Sequence, residues 1–272
     1  MNVHNIALSV NVNKIALIRN SRQGNNPNLV DIAANLIDYG AQGITVHPRP
    51  DQRHIRPEDC NELANLIARQ KIHNPAIEFN IEGNPLARFT PRTRTDFNDY
   101  PGFLRIIEQC KPDQVTLVPD HNSQLTSDHG FDLSGDIAEL IDIIQHIKSL
   151  DCRVSLFMDA DLAQIRRAAE IGADRIELYT GPFAHTYESD RPAASAIYAQ
   201  HRAAANHAHA LGLGINAGHD LNLDNILLYR ELPHLQEVSI GHAFTIDALH
   251  FGFAATTMKY LTALNSNTQR KL

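Results

Sequence analysis

The chain has 272 residues, 43% of them hydrophobic, and a formal net charge of −7. That length allows one large domain or two small ones, and the acidic balance excludes a general nucleic-acid surface. No uninterrupted apolar stretch approaches the length of a membrane span. Three widely spaced cysteines (Cys60, Cys110, Cys152) argue against a disulfide framework or a thiolate zinc site. They fit a reducing cytoplasm, and the N-terminus shows no signal peptide pattern.

In chain order, a first strand is predicted over residues 6–12, followed by the cation-bearing "NKIALIRNSRQG". Asn26-Pro27 opens a helix that Gly40 closes. A second strand over 43–47 ends in His47 and runs into "PRPDQRHI", where prolines stiffen a path carrying Arg49, Arg53 and His54. After a third strand at 77–82 comes the longest irregular stretch, 83–101, which at that length is expected to be a lid or an interface element. A fourth strand over 114–118 precedes a helix beginning after Ser134. A fifth strand at 153–158 leads to a helix opened by Asp161 and closed by Gly172. The sixth, at 175–179, precedes a long helix from about Pro192 to Leu211. The seventh, at 213–217, leads into "GHDLNLDN" with a helix opening at Asn222. The eighth, at 237–240, ends in "GHAF", where another helix begins.

Strands alternating with helices imply βαβ units and a parallel sheet, and eight of them predict a closed (β/α)8 TIM barrel forming a single domain over 1–272, with an extended loop after strand three. No GxGxxG follows the first strand, which weakens a dinucleotide-binding sheet. A faint internal echo, "YGAQGITVHPR" at 39–49 and "IGADRIELYTG" at 171–181, supports repeated units.

Alternation within the strands carries more information. One parity is apolar (Leu8, Val10; Ile44, Val46; Phe79, Ile81; Ile176, Leu178), and the other is polar (Ser9, Asn11, Asn13; Thr45, His47; Glu78, Asn80, Glu82; Glu177, Tyr179). Asn216 and Ser239 extend the polar parity to strands seven and eight. Ordinary barrel interiors are filled with branched apolar side chains, and a buried unpartnered polar group costs about 1–3 kcal/mol. So many inward polar groups therefore predict a site, at the C-terminal strand ends where active sites of this architecture lie.

Within that site, His47 among carboxylates suits proton transfer near neutral pH. Arg49 and His54 suit a phosphate, while Arg53 is expected to face solvent. Gly218-His219 and Gly241-His242, each before a helix, form glycine-bearing strand ends at the usual phosphate position of such barrels. No lysine lies centrally in a strand, so an enzyme imine is not expected. His207 and His209 fall in one helix two residues apart, point in different directions, and are read as structural rather than metal-binding.

Taken together, "VNVNKIALIRNSRQG", "GAQGITVHPRPDQRHI", "FNIEG", "VTLVPD", "LTSDHGFDL", "VSLFMDAD", "GADRIELYTG", "INAGHDLNL" and "SIGHAF" resemble the pyridoxine 5′-phosphate synthase family across nearly the whole chain. The resemblance implies a cytoplasmic barrel enzyme, a homo-octamer built from dimers, that needs no metal or organic cofactor. It would condense two small phosphorylated substrates, 1-deoxy-D-xylulose 5-phosphate and 3-amino-2-oxopropyl phosphate, to pyridoxine 5′-phosphate. Carried over residue by residue, it implies His47 and Glu82 as bases, His219 as acid and Glu177 as transition-state stabiliser. Asn11, Arg22, Asp220, Gly241 and His242 would contact the amino-ketone phosphate; Asn13, Lys14, Arg49, His54 and Thr126 would contact the sugar phosphate. Asn13-Lys14 stands where some members carry Asp-His, and Asp220 where some carry glycine; the loop at 83–101 is longer than in compact members. Two other readings remain open from the residues themselves: a phosphate-sugar lyase or isomerase, and a noncatalytic barrel that binds a B6 phosphate.

Overall fold

A computed structural model describes residues 5–121 and 124–265. The first half runs β1 (Ala7–Asn11), α1 (Asn13–Asn20), α2 (Leu29–Asp38), β2 (Gly43–Val46), α3 (Pro57–Gln70), β3 (Glu78–Gly83), α4 (Phe103–Cys110) and β4 (Gln114–Leu117). The second runs α5 (Ala138–Ser149), β5 (Arg153–Met158), α6 (Leu162–Glu170), β6 (Arg175–Tyr179), α7 (Gly181–Ser189) and α8 (Arg191–Ala210). It ends with β7 (Gly214–Gly218), α9 (Ile226–Tyr229), β8 (Leu235–Ile240), α10 (His242–Phe251) and α11 (Phe253–Asn265). The strands pair in parallel in sequence order, and β8 closes onto β1 with Ser239 beside Ser9. This is a (β/α)8 barrel.

Period-two alternation divides the strands as a barrel requires. Leu8, Val10, Ile44, Val46, Val115, Leu117, Ile176 and Leu178 are all fully buried on the apolar parity and belong to the hydrophobic core with the helices. The inner parity is polar and largely satisfied. The Ser9 and Thr45 hydroxyls lie 2.7 Å apart, and Thr116 Oγ1 donates to Asn80 Oδ1 at 3.1 Å. Asn216 Nδ2 donates to Gln114 Oε1 at 3.2 Å, and Arg175 Nη1 to Asn216 Oδ1 at 2.8 Å. Towards the N-terminal mouth, Arg153 pairs with Glu78, and Arg175 Nη1 lies 3.6 Å from Glu237 Oε2. Buried charge needs such partners, and Arg153 and Glu78 are both paired and hydrogen-bonded, whereas Glu237 has only the longer contact with Arg175.

The sequence echo has a structural basis. Gly40 and Gly172 both have positive φ (105° and 91°), and the next residue's N–H returns to the helix: Ala41 to Leu36 O, Ala173 to Ala168 O. The same helix-to-strand turn recurs at Gly212, with Leu213 N–H on Ala208 O. Each is a Schellman-type C-cap that aims the following strand at the barrel.

Several strand ends shift by one or two residues, and three helix starts differ from expectation in ways that matter. β1 stops at Asn11, and α1 starts at Asn13 with no side-chain cap, so Asn13 projects from a helix start rather than a strand. The helix after Asn26-Pro27 is capped by Asn28, whose Oδ1 accepts from Val30 N at 2.9 Å. The helix expected at Asn222 begins only at Ile226, because Asn222 Oδ1 accepts from the Asp224 and Asn225 N–H groups at 3.0 Å in a turn. Between β3 and α4, residues 84–102 carry no helix or strand beyond an antiparallel bridge between Thr90 and Tyr100.

Candidate active site

A cavity of about 380 Å³ opens at the C-terminal ends of the strands. Its floor is acidic and its walls are cationic. Glu82 ends β3 nearly buried, receiving the Asn11 Nδ2 donor and the Ser239 hydroxyl, each at 3.4 Å. Glu177 on β6 is buried beneath it. Burial, then the charges of Glu82 and Glu237, push the Glu177 carboxyl well above its ordinary range, which favours its protonated, hydrogen-bond-donating form. Gly218 makes room for that carboxyl: a Cβ there would stand 2.1 Å from Glu177 Oε1.

His47, just past β2, is held on three sides. Its backbone N–H donates to Asn13 Oδ1 at 2.9 Å; its Nδ1 lies 3.8 Å from Glu82 Oε2 and its Nε2 3.3 Å from Asp120 Oδ2. Asp120 also accepts from Arg49, so one buried carboxylate bridges imidazole and guanidinium. His54 faces the same cavity, its Nδ1 accepting the Ile55 N–H at 2.9 Å, which leaves the proton of the neutral ring on Nε2. Burial, together with the positive charges of His47, Arg49, Arg53 and Lys14, drives its pKa well below 6.5. A neutral, donating His54 among cations is a site prepared for an anion.

On the other side of β1, His219 Nε2 lies 2.9 Å from Thr126 Oγ1 and its Nδ1 2.8 Å from Asp220 Oδ2. That hydrogen bond keeps the Asp220 carboxyl below its usual range. His219 and Asp220 both have positive φ (88° and 59°), an unfavourable backbone for residues with side chains. Thr180 Oγ1 bonds the carbonyls of Gly218 and His219, and Asn225 Nδ2 bonds that of Asp220 at 3.1 Å, which fixes the turn. Gly241 and His242 complete this wall at the start of α10. The first turns of both α1 and α10 lack acidic residues and begin at the cavity wall, where Asn13, Lys14 and His242 line it; Asn11 Oδ1 accepts the Asn13 N–H at 3.0 Å.

The sequence matches the family described as pyridoxal phosphate biosynthesis protein PdxJ over residues 8–266. The chain belongs to the PdxJ family. A relative named pyridoxine 5′-phosphate synthase, from Xanthomonas axonopodis pv. citri, is 51% identical over 261 residues, covering 95% of this chain and 96% of the relative. Another of that name, from Porphyromonas gingivalis, is 47% identical over 254 residues, covering 93% and 96%. Among solved structures, tryptophan synthase from M. tuberculosis matches with a TM-score of 0.58 at 9% identity, covering 96% of this chain and 94% of that one. The 3-hexulose-6-phosphate synthase from Salmonella typhimurium matches with a TM-score of 0.55 at 16% identity, covering 95% and 98%. Likeness at that identity is one of fold.

In this PdxJ family member, the cavity gathers Asn11, Asn13, Lys14, His47, Arg49 and His54 with Glu82, Thr126, Glu177, His219, Asp220, Gly241 and His242. Arg22 is outside it, exposed in the turn after α1, because eight helical residues carry the chain about 12 Å from the strand end. Arg53 is not the solvent-facing residue expected. It lines the cavity, pairs with Asp51 at 2.6 Å and donates to the Gln124 carbonyl at 3.0 Å. Asp120 was missed, although its parity continues Gln114, Thr116 and Val118 past the end of β4. Tyr179 packs edge-on against His219, ring centroids 5.3 Å apart, and does not line the cavity. Asn216 belongs to the polar network below it. Among the described residues, no three His, Cys, Asp or Glu side chains are grouped to hold a metal ion, and no helix is long and apolar enough to cross a membrane.

Proposed function

We propose that this chain is a pyridoxine 5′-phosphate synthase that condenses 1-deoxy-D-xylulose 5-phosphate with 3-amino-2-oxopropyl phosphate, losing inorganic phosphate and water. One observation carries the reading: an acid–base floor lies between two cationic walls, placed on opposite sides of β1 by the order of the strands. Two phosphorylated substrates need two anion grips and one shared reaction centre.

The grip beyond β2 consists of Arg49, His54 and Lys14, with Thr126 and Asn13 at its edge, and takes the sugar phosphate. The grip beyond β8 consists of Gly241, His242 and the Asp220 backbone N–H, with Asn11 beside it, and takes the amino-ketone phosphate. Juxtaposition turns imine formation between the amine and the ketone into an intramolecular event. His47 and Glu82 then remove protons through enamine formation and ring closure. His219 delivers a proton to the departing oxygen, and Glu177, whose burial favours its protonated form, donates to charge developing above it. A set of acids and bases held at different protonation states suits several successive proton transfers on one bound species. The same resemblance supports a homo-octamer in the cytoplasm.

Purified protein supplied with both substrates is expected to form pyridoxine 5′-phosphate. His47→Gln and Glu82→Gln should each lower kcat by about 10²–10⁴-fold while leaving the circular dichroism spectrum unchanged. Absence of product from the wild-type protein defeats the proposal. A wild-type protein that makes no product, with ligand affinity unchanged in the His47→Gln/Glu82→Gln double variant, would point to a binding barrel.

A further inference from the structure

The segment 48–58 carries Arg49, Arg53 and His54 over the cavity on a path that does not hold its own shape. Gln52 sits there in the left-handed region (φ 51°) although it is not glycine, and its side chain is buried. Such a conformation persists only when its surroundings over-determine it. Part of the restraint comes from α1, where Asn20 Nδ2 and Arg19 Nη2 donate to the His54 carbonyl at 2.7 and 3.1 Å. The rest comes from the irregular loop between β3 and α4.

That loop meets the segment at four successive points. Tyr100 Oη donates to the Pro48 carbonyl at 3.4 Å, and Gln52 Nε2 donates to the Asn98 carbonyl at 2.8 Å. Asn98 Nδ2 donates to Glu58. Between these, the ring of Phe97, 4% exposed, is sandwiched by two guanidinium groups: Arg56 at 4.3 Å from its centroid and Arg94 at 4.4 Å. Arg94 Nη1 also donates to the Asn20 carbonyl at 2.8 Å, and Arg56 Nη2 to Asn20 Oδ1 at 2.8 Å, which ties the sandwich to the residue holding His54. No residue of 84–102 lines the cavity.

We propose that the β3–α4 loop is a positioning clasp for the anion grip on the β2–α3 loop, with Phe97 between Arg56 and Arg94 as its pin. The loop acts on Arg49 and His54 from behind and does not touch substrate. Phe97, Arg94 and Asn98 are thus positioning residues, and loosening the pin weakens one grip while sparing the other. The assignment of that grip to the sugar phosphate rests on the activity proposed above; the clasp itself requires only that the grip bind phosphate.

The test has an arm for each. Inorganic phosphate is titrated into the full-length protein and followed through the His54 imidazole resonances, in wild type, Phe97→Ala, Phe97→Tyr and Arg94→Ala. Phosphate should bind about tenfold more weakly to the Phe97→Ala and Arg94→Ala proteins, and Phe97→Tyr, which keeps the ring, should restore affinity. In steady-state assays the KM for the sugar phosphate should rise about tenfold, with kcat and the KM for the amino-ketone phosphate within about threefold of wild type. Should Phe97→Ala fail to fold, Arg94→Ala, whose side chain is partly exposed, gives the same reading. Unchanged phosphate affinity, an equal rise in both KM values, or a fall in kcat alone overturns the clasp. Weakened phosphate binding in a protein that makes no pyridoxine 5′-phosphate leaves the clasp standing and removes the activity.

Discussion

Asp120 is the residue on which both halves of the β2 end depend. Its carboxylate accepts from Arg49 and faces His47 Nε2 at 3.3 Å, so it favours the tautomer protonated at Nε2. The Nδ1 lone pair is then left towards Glu82 and the cavity. Asp120→Asn keeps the shape but offers an amide N–H as readily as an oxygen, which stabilises the opposite tautomer and releases Arg49. An expected fall in kcat of about 100-fold should accompany a changed 15N tautomer pattern for the His47 ring. Retention of both kcat and tautomer would show that Asp120 only anchors Arg49. At this scale the sequence was legible wherever parity ruled: His47, Arg49, Glu82 and Glu177 all lie on the inward parity of their strands, extended past the end where needed. At His219 the signal was the Gly-His pair at a strand end rather than parity, because the left-handed backbone of His219 and Asp220 breaks the alternation. The sequence was not legible at Arg53, whose role depends on carbonyls of a loop seventy residues away in sequence.

Among the elements, α1 and α10 do more than pack. Both start at the cavity wall with no acidic residue in the first turn, and that arrangement favours a bound anion over helix stability. The two effects can be separated at Ala243, in the first turn of α10. An aspartate there complements the helix dipole, so Ala243→Asp should unfold within about 1 kcal/mol of wild type or slightly above it. The same charge repels a phosphate, and the KM for the amino-ketone phosphate should rise about tenfold. Denaturant titration and steady-state kinetics on one sample check both; a lower stability with unchanged KM refutes the role given to α10. Helices with side-chain caps or glycine stops, such as α2, α6 and α8, were readable from sequence because those residues act locally. By contrast α1 was not, since it follows β1 after one residue and its N-cap residue, Val12, has no side chain able to cap it. The function of the β3–α4 loop was equally hidden, because its contacts with residues 48–58 join segments that no local pattern relates.

For the molecule as a whole, the polar barrel interior that creates the site also sets how stability responds to pH. Glu237 lies on the inward parity of β8, buried near the N-terminal mouth, where burial outweighs the attraction of Arg175 and lifts its carboxyl from 4.5 to about 7. In the unfolded chain that carboxyl ionises above pH 4.5, whereas in the barrel it holds its proton until about pH 7. Over that window the unfolded state binds fewer protons, so folding stability falls as pH rises, by roughly 3 kcal/mol in total from this one group. Below pH 4.5 both states are protonated and the contribution is fully present; above about 7 it is lost. Glu177, also raised by burial, acts in the same direction and remains in a Glu237 variant. Glu237→Gln cannot ionise and keeps the shape, so its stability should fall less steeply between pH 4.5 and 7 than that of wild type. Urea titrations across that range should therefore show the variant gaining on wild type at each step towards neutrality. A constant gap between the two proteins would mean that Glu237 is ionised throughout, paired with Arg175 as an ordinary buried ion pair.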